Sequence, residues 1–252
     1  MIGRFAPHGD RAFFDPGTFP WLADIERDWR RIRAELDAVL AERDRLPAFH
    51  EIEPGQDDIS TDRWKTLIFY MYGREVPENC ARYPQTTALL RRFPQISTAM
   101  FSILEAGAHI PAHCGPFKGV LRYHLGLIVP RGPGRCEIRV GHEHRRWEEG
   151  GSLVFDDTFE HEVWNETAEP RVILFVDFLR PLNWPLSAVN RALMGAARWI
   201  PAVRNTQANA RRFARTQARK ASGSIGFLFH CTCSVKSRNC AGPSGNQTRD
   251  GS

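Results

Sequence analysis

Residues 120–140 read VLRYHLGLIVPRGPGRCEIRV, and this stretch decides the fold. Val120 to Val129 is rich in branched and aromatic residues, with Arg122, His124 and Gly126 at alternate places, as in a strand with two unlike faces. Arg131-Gly132-Pro133-Gly134 breaks the chain, and Cys136 to Val140 resumes as a second short strand. The rhythm extends both ways, through Thr98 to Glu105, Ser152 to Phe155, Glu162 to Asn165 and Arg171 to Leu179. Turn formers such as Ala106-Gly107 and Glu149-Gly150-Gly151 lie between them. Many short strands at this spacing make a sandwich or barrel, and a jelly roll is the member of that set that holds a ligand between two sheets. Periodicity alone does not choose among them.

Upstream, Trp64 to Tyr72 reads as a buried strand ending at Gly73. Leu22, Ile25, Trp29, Ile32, Leu36 and Val39 recur at three-four spacing, which gives a helix with one apolar face. Thr18 is its expected cap, with Pro20 in the first turn. Arg27, Arg30, Arg31, Arg33 and Glu35 are expected on its solvated side. A short helix is expected from Thr86 to Phe93, closed by Pro94. Beyond Pro181, Val189, Leu193, Met194, Ala197 and Ile200 form one side of a helix, with Arg191, Arg198 and Arg204 nearby. From Ala221 onward Ser, Gly, Asn and Thr dominate, a composition of disorder. The expected organisation is an N-terminal helical region (1–60), a β domain (61–182), a basic helical extension (183–220) and a disordered tail (221–252).

A chain of 252 residues suits one sizeable domain or two small ones. The N-terminus is interrupted by Arg4, Asp10 and Arg11 and lacks a signal-peptide core. No apolar run approaches the ~18 residues of a membrane span. Six scattered cysteines fit a reducing compartment, so a cytoplasmic location is expected. The net charge of +5 hides an asymmetry: residues 181–249 hold 11 Lys and Arg and no acid, whereas 1–180 hold 23 basic and 28 acidic residues. A basic, acid-free extension suits peripheral contact with an anionic membrane surface. It has no interleaved aromatics to stack bases, so nucleic acid is not an expected partner.

Alternation puts Arg122 and His124 on one face of their strand, and Arg171, Ile173, Phe175 and Asp177 on one face of theirs. Two arginines and a histidine turned into an apolar interior are costly without a charged partner. A dicarboxylate supplies one through paired hydrogen bonds to guanidinium; Asp156 and Asp177 are the alternatives within the chain. His113 lies in an expected turn, His113-Cys114-Gly115-Pro116, and His161 lies ten residues before Arg171. Two histidines with these arginines suit an iron and dicarboxylate site. Cys114 reads as a packed thiol, and His109, His142 and His144 as surface or structural residues. His230-Cys231-Thr232-Cys233 with Cys240 hints at zinc, at a spacing unlike paired fingers.

Together, His113-Cys114-Gly115-Pro116, Leu121-Arg122-Tyr123-His124-Leu125-Gly126-Leu127, Trp147-Glu148-Glu149-Gly150 and the run from Phe155 to Trp164 carry a family likeness. They resemble the aspartyl/asparaginyl β-hydroxylase family of Fe(II)/2-oxoglutarate-dependent dioxygenases, over about Trp64 to Pro181. The resemblance implies a double-stranded β-helix, a cupin-like jelly roll, with Fe(II) on His113 and His161. It implies 2-oxoglutarate as co-substrate, with its distal carboxylate on Arg171. Arg122, His124 and Ser102 fall at further co-substrate positions and Trp64 at the pocket tryptophan. The implied reaction uses O2 to hydroxylate an unactivated carbon of a small-molecule, peptide or lipid substrate, releasing succinate and CO2. The first expectation is the β-carbon of an aspartyl or asparaginyl substrate. A lipid acyl chain at a membrane surface and a non-catalytic binding protein are the alternatives.

The common iron site adds a carboxylate to two histidines, and the acid would stand at Gly115, which cannot ligate. Peptidyl aspartate hydroxylases of the family share that glycine, so Gly115 leans towards the aspartyl branch, with water expected in the empty position. Asp156 or Asp157 reaching the metal is a weaker alternative. Arg122, Lys118 and Arg82 are the candidate cations for a substrate carboxylate.

Overall fold

The two faces of residues 120–128 set the architecture. In the computed structural model, which describes residues 6–230 and side chains through 220, Leu121, Tyr123, Leu125 and Leu127 are buried on one side of the strand against helices. Arg122 and His124 lie on the other, facing a second sheet. In chain order the elements are β1 (Phe13–Phe14), α1 (Leu22–Arg27), α2 (Trp29–Leu40), α3 (Phe49–Ile52), β2 (Trp64–Met71), β3 (Arg74–Glu75), α4 (Pro77–Arg82), α5 (Pro84–Leu90) and β4 (Ile96–Leu104). There follow β5 (Ala108–His113), β6 (Val120–Ile128), β7 (Cys136–Val140), β8 (Glu143–Arg145), β9 (Ser152–Phe155), β10 (His161–Asn165), β11 (Arg171–Leu179), α6 (Leu186–Ala197) and α7 (Pro201–His230). Residues through Gln217 form one compact unit; residues from 218 form a second, whose described backbone is helical to His230.

The major sheet has seven strands in the order β1-β9-β6-β11-β4-β2-β3, and the minor sheet four in the order β5-β10-β7-β8. The fold is thus mainly β, two antiparallel sheets of a jelly roll with helices at both ends. The outer face of the major sheet is sealed by Leu22, Ile25, Ile32, Leu36 and Val39 of α1 and α2 against residues such as Phe101, Leu125 and Leu174. Its inner face meets Ile110, Ile138, Val140 and Val163 of the minor sheet. Central strands buried on both faces cannot afford unpaired polar groups, so each polar residue pointing inward needs a reason.

Four local expectations change. Thr18 is not a helix cap: Asp15 Oδ1 accepts from Gly17 N at 3.0 Å, Pro16–Thr18 closes a tight turn, and α1 begins at Leu22. The single apolar helix is two, divided at Asp28. Glu35 is not merely solvated. Its carboxylate accepts from Gln85 N, Thr86 N and Thr86 Oγ1 at 2.7–2.8 Å, capping α5 from α2 and starting that helix earlier than the sequence suggested. The backbone of residues 221–230, expected to be disordered, is helical; the rest of that tail, with Cys231, Cys233 and Cys240, lies outside the described residues.

Candidate active site

His113 ends β5 and is not in a turn, because Ile110 and His113, on either side of Pro111, pair with β10. His161 opens β10 directly opposite, and the two imidazole centroids stand 4.1 Å apart. Each ring is fixed through Nδ1, which donates to a carbonyl two residues back: Pro111 O at 2.7 Å and Phe159 O at 3.0 Å. That tautomer leaves Nε2 with its lone pair, the state a metal requires. Burial, aided by the Arg122 guanidinium and by His113, pushes His161 down to about 2. Burial also lowers His113. Both rings are therefore neutral and ready to ligate. Among the described residues no three His, Cys, Asp or Glu side chains gather as a metal cluster, so a metal held here could take at most these two imidazoles from the described protein side chains.

Facing this pair across the sandwich is the inner face of the major sheet. Register places Asp177 opposite Arg122 and Phe175 opposite His124. Arg122 is gripped by Asp177 through two bonds, Nε to Oδ1 at 2.8 Å and Nη2 to Oδ2 at 3.0 Å. Its Nη2 also lies 2.9 Å from Asp157 Oδ2, and Nη1 lies 3.4 Å from His161 Nε2. Burial alone would lower its pKa, but the two carboxylates outweigh burial and hold it above its ordinary value.

Arg171 is in the opposite state. It is 2% exposed, its guanidinium lies over the Trp147 ring at 4.7 Å, and its Nε and Nη1 have no hydrogen-bond partner. Burial pulls it down to about 10. Nearby His124 takes a 3.4 Å hydrogen bond from Trp147 Nε1 on its Nδ1, while its buried Nε2 is unpaired. Burial and the arginines Arg171 and Arg122 hold His124 well below the usual histidine range. Native interiors rarely leave such groups unmatched. What this pattern lacks is an acceptor for the Arg171 donors, a role an anion would fill. Ser102 and Trp64 are brought together on adjoining strands, with Trp64 Nε1 donating to Ser102 Oγ at 2.9 Å. Phe49 of α3 stacks on the same indole at 4.4 Å.

The sequence offers Asp157 only as a weaker alternative metal ligand; its placement explains Gly115. A Cβ at Gly115 would fall 2.0 Å from Asp157 Oδ2, and Gly115 N donates to Asp157 O at 2.7 Å. The carboxylate of Asp157 thus occupies the space an acidic side chain at 115 would need. Burial raises Asp157 to about 6 against the opposing pull of Arg122. Asp156 points elsewhere, to Arg180 and, at 3.3 Å, to Lys118. Cys114 is exposed and not packed. His109 and His144 sit at the surface with Glu162 and Glu137, at 2.8 and 2.9 Å.

A cavity of about 520 Å³ adjoins this constellation. His113, Gly115, Arg122 and Trp64 line one side, and Leu193, Met194 and Ala197 of α6 with Ile200 of the turn after it line the other. Among the described residues its charged lining is Arg122 with Asp157, Asp177 and Glu53, so the cation is outnumbered by carboxylates. Glu53 is bonded to Tyr72, and burial raises its pKa.

These buried groups set the acid sensitivity of the fold. His113, His124 and His161 stay neutral when folded but protonate near 6.5 when unfolded, so their contribution is whole above about 6.5 and is lost as pH falls. Asp157, with its raised value, acts oppositely, regaining stability as pH falls through about 6. Glu53, also raised by burial, acts with Asp157, so three histidines oppose two carboxyls; melting temperature is expected to drop between pH 7.5 and 5, at about 1.4 kcal/mol per pH unit for each net proton. Thermal melts across that range check it, and Asp157→Asn should steepen the fall. Stability that rises on acidification would show that the histidines are not held neutral.

A sequence profile described as Aspartyl/Asparaginyl beta-hydroxylase matches residues 26–181, reaching back into α1. An ornithine lipid ester-linked acyl 2-hydroxylase from Rhizobium tropici is 46% identical over 202 residues, covering 80% of this chain and 72% of that protein. A human aspartyl/asparaginyl beta-hydroxylase is 36% identical over 174 residues, covering 66% of this chain; the chain spans only 22% of that longer relative. Among solved structures, the cupin domain of Schizosaccharomyces pombe Cnp3 is a distant likeness, at TM-score 0.29 and 17% identity over 38% of this chain and 61% of that one.

Proposed function

The chain belongs to the aspartyl/asparaginyl β-hydroxylase family, and from that premise we propose that it is an Fe(II)- and 2-oxoglutarate-dependent hydroxylase of a lipid acyl chain. One observation carries the reading: the two inward arginines are in opposite states. Arg171 is buried without a partner, which suits the far carboxylate of a co-substrate. Arg122 is saturated by Asp177 and Asp157, which leaves it no hold on a substrate carboxylate. The other candidate cations are also taken, Lys118 by Asp10 at 2.8 Å and Arg82 by Glu42 at 3.0 Å. An aspartyl side chain would meet Glu53, Asp157 and Asp177 in a lining that is otherwise largely apolar. An acyl chain meets Trp64, Phe175, Leu193, Met194 and Ile200 and needs no counter-charge.

His113 and His161 would hold the iron through Nε2, their orientation set by the Pro111 and Phe159 carbonyls. Bound iron would supply the oxidation: 2-oxoglutarate, O2 and a C–H bond become succinate, CO2 and C–OH. Arg171 orients the co-substrate through its two open donors, with its guanidinium lying over the Trp147 ring. Phe49, stacked on Trp64, closes the wall beside the site and excludes water there.

The test is succinate release by the purified chain with Fe(II), ascorbate, O2 and 2-oxoglutarate, beside His161→Ala. An ester-linked acyl lipid in detergent is expected to raise turnover at least about tenfold over substrate-free protein, with one oxygen gained on the acyl chain by mass spectrometry. An Asp- or Asn-containing peptide should not. Oxygen gained by the peptide instead would move the substrate to the aspartyl class. No turnover with no 2-oxoglutarate binding would leave a non-catalytic binding protein.

A further inference from the structure

The hydroxylase site leaves one surface unexplained. Among the described residues, the large exposed hydrophobic side chains all fall between positions 184 and 200: Trp184 is 82% exposed, Trp199 71%, and Val189, Leu193 and Ile200 about half. They lie on α6 and its two flanking turns. Monomeric surfaces seldom gather such side chains in one place without a partner. Arg191, Arg198 and Arg204 share the segment, and none forms an ion pair among the described residues, unlike most arginines of the β domain. Arg191 and Arg198 also line a recess of about 560 Å³ with Arg74 and Arg91, and among the described residues Arg91 is the one arginine there with an ion-pair partner, Glu75 at 3.1 Å.

The helix is held firmly enough to present that surface. Asn190, 2% exposed, donates to Gly119 O at 2.7 Å, and any Cβ at Gly119 would collide with its side chain at 2.1 Å. Leu193 and Ile200 are half-exposed while they also line the apolar cavity, so the cavity's edge reaches this same surface.

We propose that α6 and its flanking turns dock on an anionic lipid bilayer. Trp184 and Trp199 have the amphipathic rings that settle at the headgroup level, and the unpaired arginines meet the phosphates. No described helix is long and apolar enough to cross a membrane, so the docking is interfacial. A second copy is the poorer occupant. A two-fold contact through this face would set Arg191, Arg198 and Arg204 against their own equivalents, with no acid between positions 181 and 249 to offset them. Vesicle binding is read without turnover, so the docking and the acyl-chain reading can fail separately.

The full chain is tested by flotation with vesicles of phosphatidylcholine alone and of phosphatidylcholine with phosphatidylglycerol. Binding is expected with the anionic vesicles and is weakened by salt. Arg191→Gln, Arg198→Gln and Arg204→Gln together should lower partitioning about a hundredfold. Trp184→Ser with Trp199→Ser should lower it about tenfold or more, with melting temperature and 2-oxoglutarate binding unchanged because both rings are exposed. Anionic-vesicle binding that is equal in the tryptophan variant and the parent would place the contact in the basic residues beyond α6 and overturn the proposal. So would a concentration-dependent dimer, with no vesicle binding, that the tryptophan variant abolishes.

Discussion

Arg171→Met is expected to stabilise the ligand-free protein while removing its affinity for 2-oxoglutarate. Arg171 Nε and Nη1 are buried without partners, and each unmet buried donor costs about 1–3 kcal/mol. Methionine fills similar volume with no charge. Allowing for the lost guanidinium contact with Trp147, a net gain of about 2 kcal/mol would raise the melting temperature roughly 4–8 °C. Loss of one partner of a buried charge pair costs about 2–5 kcal/mol in binding, so 2-oxoglutarate affinity should fall about thirtyfold or more. Calorimetric melts and titrations on the same samples read both. A less stable variant that still binds 2-oxoglutarate would mean that Arg171 is structural. Few other substitutions separate the two roles with effects of opposite sign.

The second large effect concerns Gly115. Its φ is not in the left-handed region, so alanine is acceptable to the backbone and any cost must come from the 2.0 Å approach to Asp157 Oδ2. Gly115→Ala should cost about 3 kcal/mol, the upper range for overpacking. It should also displace the carboxylate that helps hold Arg122 beside His161, and so lower Fe(II) affinity. In an Asp157→Ala background the same change should cost less than about 1 kcal/mol. The difference is the coupling energy of a double-mutant cycle. Additive effects would show that glycine is required at 115 for some reason other than Asp157.

Much of this was legible because period-two alternation survives wherever one strand face is committed to the core. Leu121, Tyr123, Leu125 and Leu127 against Arg122 and His124 gave both faces of β6 before any pairing was known, and Arg171, Phe175 and Asp177 did the same for β11. What alternation cannot give is register. Arg122 and Arg171 look equivalent in sequence, two inward arginines on neighbouring strands. Only pairing shows that Asp177 faces the first, while Leu104 faces the second. β5 was missed because Pro111 and the following Gly115-Pro116 read as punctuation, although proline is tolerated on an edge strand. Glu35 and Asp157 act across about fifty and forty residues of chain, on Thr86 and Gly115, a distance at which local patterns carry no signal. The exposure of Trp184 and Trp199 was equally unreadable, since apolar periodicity alone does not say which apolar residues remain uncovered.

The grip of Asp177 and Asp157 on Arg122 has a consequence for how such enzymes diverge. An arginine already aimed at the cavity and silenced by its neighbours is a dormant anion receptor. A lineage on this scaffold need not evolve a new cation to pass from acyl chains to acidic residues. Loss of one carboxylate would unmask the charge that is already there. If the acyl-chain reading holds, substrate class on this scaffold would turn on which acids stand beside that arginine.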